Sequence, residues 1–147
     1  MSTVEKFDKW ASGLGLDHFS PHELRFMGGS HYDPRSSAYG LNELPPQALW
    51  ENIAPVAMAA DIARDELGAP IRILSGYRSP AYNRAIRGAK HSRHLHFDAL
   101  DLAPMRGSVA GLHRILTRLR KQGIFTGGIG KYASFVHIDN RGTVADW

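Results

Sequence analysis

The chain has 147 residues, of which 43% are hydrophobic and 22% charged, and its formal net charge is +4. This length predicts a single domain, because two halves would each be too short to bury a core. The composition excludes a disordered, collagen-like or coiled-coil protein, and no apolar run approaches the roughly 18 residues of a membrane span. Cysteine is absent, which excludes disulfides and thiolate sites and leaves His, Asp and Glu as strong metal ligands.

The N-terminal half has the pattern of helices. Ser20-Pro21-His22-Glu23 has the residue types of a capping box and begins a short helix. A loop rich in Gly, Ser and Pro is expected from Gly28 to Gly40. From Pro46 to Leu67, apolar residues recur at spacings of three and four and predict the main helix, with a kink at Pro55 and a stop at Gly68.

The C-terminal half has the pattern of a sheet with two further helices. Pro70 to Ser75 alternates apolar and polar residues and predicts a strand, after which Ser79-Pro80 begins a short helix. A longer amphipathic helix is predicted over Val109 to Lys121, and two closing strands over Gly127–Gly130 and Ser134–Asp139. The predicted class is α+β, with helices packed on a small, mostly antiparallel sheet.

The strongest chemical signal is a cluster of histidines and aspartates in the middle of the chain. Three of the eight histidines, His91, His94 and His96, lie within six positions, and Asp98 and Asp101 follow them. These side chains offer nitrogen and oxygen ligands that suit a divalent metal.

Around this cluster, the apolar residues occupy odd-numbered positions up to Ala99 and even-numbered positions from Leu100. Successive side chains of a regular strand point to opposite faces, so the change predicts a slip, either a one-residue bulge or a turn. We expect the slip to bring four side chains onto one face, namely His94, His96, Asp98 and Asp101.

A second cluster lies in the segment Phe135–Asp139, where alternation places His137 and Asp139 on one face. If this strand pairs with the one bearing Asp101, two histidines and one carboxylate converge. That ligand set suits zinc and leaves a fourth position for water, although non-haem iron uses a similar set. The alternative is that each His is an ordinary surface or hydrogen-bonded residue.

Taken together, these blocks resemble the zinc D-alanyl-D-alanine peptidase family, which is grouped with lysostaphin and the hedgehog signalling domain among the LAS-type metallopeptidases. The family pattern is S-G-Y-R-S, then S-x-H-x-x-G-x-A-x-D, then H-x-D, and it matches Ser75–Ser79, Ser92–Asp101 and His137–Asp139. The likeness is greatest to the small peptidoglycan-cleaving branch of bacterial envelopes and phages. It implies one zinc peptidase-like domain over residues 1–147, with residues 1–18 as an N-terminal helical extension.

The resemblance also implies roles for individual residues. The zinc ligands would be His94, Asp101 and His137, and Ser92 would help to hold the substrate. Arg78 matches the family arginine that binds substrate and steadies the carbonyl oxygen as it gains charge, a role that suits a preorganised guanidinium.

Three departures from the family pattern affect the site. Phe97 stands where the family usually has Gly, and Arg87 replaces the first residue of a usual Gly-Gly. Several branches carry Glu or Asp three residues before the last His ligand, where this chain has Ser134. Our candidate for the general base is therefore Asp139, which could equally orient a metal ligand; His96 is a third option.

The function that this resemblance implies is zinc-dependent hydrolysis of peptide bonds in peptidoglycan stem peptides, by a D,D-carboxypeptidase or an endolysin-like cross-link endopeptidase. The alternative is an inactive metal-holding module that binds cell wall or a protein. A basic stretch on one predicted helix is typical of a solvated face, so we expect no nucleic-acid partner. We also expect a monomer that acts on the periplasmic or extracellular cell wall. The N-terminus lacks the apolar stretch of a signal peptide. We therefore expect the enzyme to reach the wall after cleavage of a leader, by cell lysis or by delivery in a phage-like particle.

Overall fold

The structure, a computed structural model that describes residues 1–147, contains six α-helices and one five-stranded sheet. The α-helices are α1 (Thr3–Ser12), α2 (Pro21–Leu24), α3 (Gly29–Tyr32), α4 (Ala54–Leu67), α5 (Pro80–Ala85) and α6 (Val109–Lys121). The strands are β1 (Ile71–Ser75), β2 (Ala99–Pro104), β3 (Gly128–Lys131), β4 (Val136–Asp139) and β5 (Ala145–Asp146). Two 3-10 helices, Gln47–Ile53 and Arg93–His96, precede α4 and β2. The arrangement confirms the predicted α+β class.

The sheet has the strand order β1-β2-β4-β3-β5, and every neighbouring pair is antiparallel except β3 and β5. The two central strands, β2 and β4, therefore have partners on both sides. Asp101 of β2 lies directly opposite His137 of β4. The pairing that the sequence analysis required between these two segments is thus present at the centre of the sheet.

Helices α4 and α6 cover one face of the sheet and enclose the hydrophobic core with it. Leu100 and Leu102 of β2 and Ile138 of β4 are fully buried beneath α4 and α6. The same core receives Phe7 of α1, whose ring packs edge-on against Trp50 at 5.2 Å. None of the helices has an apolar stretch long enough to cross a bilayer.

The main helix differs from its prediction at the N-terminal end. The predicted kink at Pro55 is wrong, because a 3-10 helix over Gln47–Ile53 comes first and α4 begins at Ala54. Pro55 lies in the first turn of α4, where a missing backbone N–H costs no intrahelical hydrogen bond. Gly68 ends the helix in a left-handed conformation with φ of 68°, as predicted.

The slip before β2 is a turn and not a bulge within a strand. Residues Arg93–His96 form one turn of 3-10 helix, and Phe97 ends it in the left-handed region with φ 53° and ψ 40°. Strand β2 starts only at Ala99, so Leu100 and Leu102 take the core face and Asp101 the opposite face.

The prediction that His96 and Asp98 share a face with His94 and Asp101 is wrong. His96 is exposed, and its carbonyl oxygen accepts a hydrogen bond from Asn52. Asp98 is buried in an ion pair with Arg93. The turn therefore places His94, and not His96, beside Asp101.

Candidate metal centre and active site

The turn before β2 and the central strand pair bring together three side chains, which we call the His–Asp–His cluster: His94, Asp101 and His137. Their potential ligand atoms all lie within 4.8 Å of one another, and all three residues are buried. One oxygen of Asp101, Oδ1, is 3.2 Å from Nε2 of His94 and 2.9 Å from Nδ1 of His137. Each residue can thus point one donor atom at a common centre.

The backbone of the loop after β1 fixes the ring of His94. Its Nδ1 lies 2.7 Å from the carbonyl oxygen of Gly76. A carbonyl oxygen can only accept a hydrogen bond, so Nδ1 carries the proton and Nε2 keeps its lone pair. This tautomer leaves Nε2 available as a metal ligand.

The ring of His137 is held from its other side by Asp139. Nε2 of His137 lies 2.8 Å from Oδ2 of Asp139, and Nδ1 faces Asp101. A proton on Nε2 would be donated to Asp139, which leaves Nδ1 free to bind a metal. This is the carboxylate–histidine arrangement that orients ligands at many metal sites.

The pKa shifts of His94 and Asp101 favour the protonation states in which each can bind a metal. Burial lowers the pKa of His94 below its ordinary value, despite the opposing effect of Asp101, so its imidazole is neutral at neutral pH. Burial would raise the pKa of Asp101, but the imidazoles of His94 and His137 outweigh it and hold that pKa well below its usual range. For His137 the hydrogen bonds to Asp101 and Asp139 outweigh burial and raise the pKa.

Asp139 is fully buried, and its oxygens are engaged on several sides. Besides His137, they accept hydrogen bonds from the backbone N–H of Gly128 and from the guanidinium of Arg141, which contacts both oxygens at 2.9 and 2.8 Å. These donors overcome the effect of burial and keep the pKa of Asp139 well below its ordinary range. Of the two roles that the sequence left open for Asp139, these contacts favour orientation of His137.

Arg78 lies beside the His–Asp–His cluster with its side chain only 17% exposed. Its guanidinium donates to Oγ of Ser75 at 3.2 Å, to Oδ1 of Asn83 at 3.4 Å and to Oδ2 of Asp101 at 3.4 Å. The backbone N–H of Arg78 also donates to the carbonyl of His94 at 3.1 Å. The cation is thus fixed in position before any substrate binds.

A cavity of about 540 Å³ opens over the His–Asp–His cluster. Ser92 lines it, and the Ser92 hydroxyl accepts a hydrogen bond from the backbone N–H of His94 at 3.3 Å. The other basic side chains around the cavity are Arg78, Lys90, His91, Arg93 and Arg141.

One wall of the cavity is aromatic. The indole of Trp147 lies 5.3 Å from the ring of His137, and its N–H donates to the hydroxyl of Tyr132 at 2.8 Å. The ring rests on Gly128 and Gly130 of β3, where an added Cβ would overlap the indole. Close approach of the indole therefore requires glycine at these two positions of the Gly127-Gly128-Ile129-Gly130 segment.

The sequence analysis missed two features of the site, namely Arg141 and the packing of Trp147 on Gly128 and Gly130. Arg141 engages both oxygens of Asp139 and lies 5.2 Å from the centre of the Trp147 ring. The signal was present in the close spacing of the glycines, because repeated Gly within a strand marks close approach of another group. The pairing of Arg141 depends on a turn after β4 and had no such signal.

The two residues that stand where the family usually has glycine share one backbone property. Phe97 and Arg87 are the two non-glycine residues with positive φ, at 53° and 58°. Glycine adopts this region without strain. The turn that places His94 therefore has the backbone shape that glycine permits, and Phe97 adopts it with its ring fully buried.

Comparison with known proteins gives a family for this site. The family described as Peptidase M15 matches residues 39–139, a stretch that contains the whole His–Asp–His cluster. No curated protein sequence matches the chain. Two imidazoles and a carboxylate fit a catalytic metal, and peptidases of this family are metal-dependent. Because the match covers more than half of the chain and agrees with the resemblance seen in its motifs, this protein belongs to the peptidase M15 family of metallopeptidases.

Proposed function

We propose that the protein is a zinc peptidase that hydrolyses peptide bonds in the stem peptides of peptidoglycan. The observation that carries this proposal is the His–Asp–His cluster at the base of an open cavity, with the far nitrogens of both imidazoles held by Gly76 and Asp139. Two nitrogen ligands and one oxygen ligand suit zinc, and three protein ligands leave room for a further one. When loaded, such a site supplies Lewis-acid activation of the scissile carbonyl and of the attacking water.

Arg78 stabilises the negative charge that develops on the carbonyl oxygen. Its guanidinium is already oriented by Ser75, Asn83 and Asp101, so little reorganisation is needed during the reaction. Burial lowers the pKa of Arg78, yet a guanidinium remains protonated at neutral pH. Ser92 lies on the same cavity wall, where its hydroxyl can donate to a substrate carbonyl.

Asp139 acts through His137 as a positioning residue. Its carboxylate lies within hydrogen-bond distance of Nε2 of His137 and is itself held by Arg141 and the backbone of Gly128. A carboxylate in this place fixes the ring orientation and increases the basicity of the nitrogen that faces the metal.

The direct test is incubation of the purified protein with muropeptides, with and without a chelator, followed by mass spectrometry of the products. We expect cleavage that the chelator abolishes and that added Zn²⁺ restores. His94→Ala and His137→Ala should lose bound zinc and activity together, whereas His22→Ala, at an exposed histidine of α2, should retain both. Zinc binding without cleavage of any wall peptide would contradict the proposal and indicate a binding module.

A second variant tests the role of Arg78. Arg78→Lys keeps the charge but loses the planar fork that contacts three neighbours. We expect kcat to fall about 100-fold, as is typical when one oxyanion donor is removed, with zinc content unchanged. An unaltered kcat would show that Arg78 serves only to hold the loop.

A further inference from the structure

A second cavity adjoins the cavity over the His–Asp–His cluster at Arg78. This second space, of about 280 Å³, runs past Gly29 and Ser30 toward Tyr82 and Ile86. The two cavities share three lining residues, Arg78, Asp101 and Phe135. Because Asp101 lines both, the two cavities meet beside the candidate metal centre, and we treat them as the first and second arms of one groove.

The two arms of the groove differ in charge. Arg78 and Asp101 line both arms. Of the remaining residues, the first arm carries the basic side chains Lys90, His91, Arg93 and Arg141, whereas those of the second arm are small, apolar or uncharged polar.

The guanidinium groups of the first arm are already paired with carboxylates of the protein. Arg78 contacts Asp101, Arg93 contacts Asp98, and Arg141 contacts both oxygens of Asp139. The remaining basic side chains, Lys90 and His91, are exposed. No buried, unpaired cation is therefore reserved for the terminal carboxylate that a carboxypeptidase must recognise.

We infer that the site cleaves internal bonds of its peptide substrate, so that it is an endopeptidase whose substrate occupies both arms of the groove. This inference rests on the proposed function, since it specifies which peptide that same site accepts. In the reaction, water adds to the scissile carbonyl carbon, the C–N bond breaks and the departing amine takes up a proton. Both product chains remain longer than one residue.

Paired peptides that differ at one end test the inference. The first is a stem pentapeptide with a free C-terminal carboxylate, the second is its C-terminal amide, and the third is a cross-linked muropeptide dimer. We expect the dimer to be cleaved between its stems, and the amide to react within about threefold of the free acid. A carboxypeptidase site would reject the amide by at least about 100-fold, because its carboxylate-binding group would be left unpaired.

The products separate failure of this inference from failure of the proposed function. Release of a single terminal residue from the free acid, with no cleavage of the amide or the dimer, would overturn the endopeptidase inference and leave a zinc peptidase in place. No chelator-sensitive cleavage of any of the three substrates would overturn both.

A pair of variants tests occupancy of the second arm. Gly29 lines this arm, its φ is not positive, and a Cβ there meets no atom within 4 Å, so Gly29→Tyr fills the groove without strain. We expect it to raise KM for the dimer about tenfold, the usual cost of excluding one side-chain-sized contact, with zinc content unchanged. The control is Ser37→Tyr, at an exposed position after α3 that lines neither cavity. Equal KM values for the two variants would show that substrate does not occupy the second arm.

Discussion

Replacement of Phe97 by glycine sets two opposing effects against each other at the turn that places His94. Phe97 is strained by its left-handed backbone, with φ of 53°, but its ring is fully buried. It packs edge-on against Tyr77 at 6.3 Å and at a tilt against Phe7 at 6.2 Å. Glycine would relieve the strain and remove the packing.

The packing effect should dominate. Truncation of a buried phenylalanine costs about 3–5 kcal/mol, and the extra freedom of glycine in the unfolded chain adds about 0.5–1 kcal/mol. Relief of a left-handed residue returns only about 1–2 kcal/mol. We therefore expect Phe97→Gly to lower the free energy of unfolding by about 1.5–5 kcal/mol.

Arg87→Gly is the matched control, since Arg87 has φ of 58° and is exposed. Here the same strain is relieved with no loss of buried surface, so stability should stay unchanged or rise by up to about 1 kcal/mol. Urea unfolding of both variants in the presence of a chelator measures the difference, because bound metal would shift the apparent stability. A Phe97→Gly protein as stable as the parent would refute the reasoning, since strain would then outweigh packing.

Three further predictions concern the metal site and its aromatic wall. Asp139→Asn should weaken zinc binding about 10- to 100-fold, because the charge that orients His137 is lost. Competition with a fluorescent chelator measures the zinc affinity, and an unchanged affinity would count against the positioning role. Because its neighbours raise the pKa of His137 above the ordinary 6.5, protons compete with the metal below that raised value, so zinc affinity should fall by up to about tenfold per pH unit as the pH decreases and level off at higher pH. Affinity that is constant from pH 6 to 8 would contradict this. Gly130→Ala should displace the indole of Trp147, lower stability by about 1–3 kcal/mol and shift the NMR signal of the indole N–H, which donates to the Tyr132 hydroxyl. An indole signal unchanged from the parent would show that glycine is not required beneath the ring.

The features that the sequence predicted correctly are those that local patterning controls. Alternation predicted β1 and β4, capping residues predicted the starts of α2 and α5, and Gly68 marked the end of α4. These signals lie within a few residues of the structure that they specify, because helix ends and strand faces depend on local hydrogen bonds and on side-chain direction.

The features that it missed depend on distant parts of the chain. Strand β5 has only two residues, and its parallel pairing with β3 has no local signature. The second arm of the groove joins α3, which lies within the predicted loop, to β1 and α5. Such a groove follows from how the elements pack, and periodicity within any one of them cannot predict it.

The spacing of the candidate metal ligands along the chain explains the left-handed residue at position 97. Asp101 and His137 face each other across an antiparallel pair, where opposite Cβ atoms lie about 4.5–5.5 Å apart. His94 precedes Asp101 by seven residues, an odd number, so a regular strand would turn its ring to the other face of the sheet. A helical turn ended by a left-handed residue reverses that direction and still lets Leu100 and Leu102 enter the core. In this chain the positive φ of Phe97 thus carries His94 to the face of Asp101, and the buried ring offsets the strain that glycine would avoid.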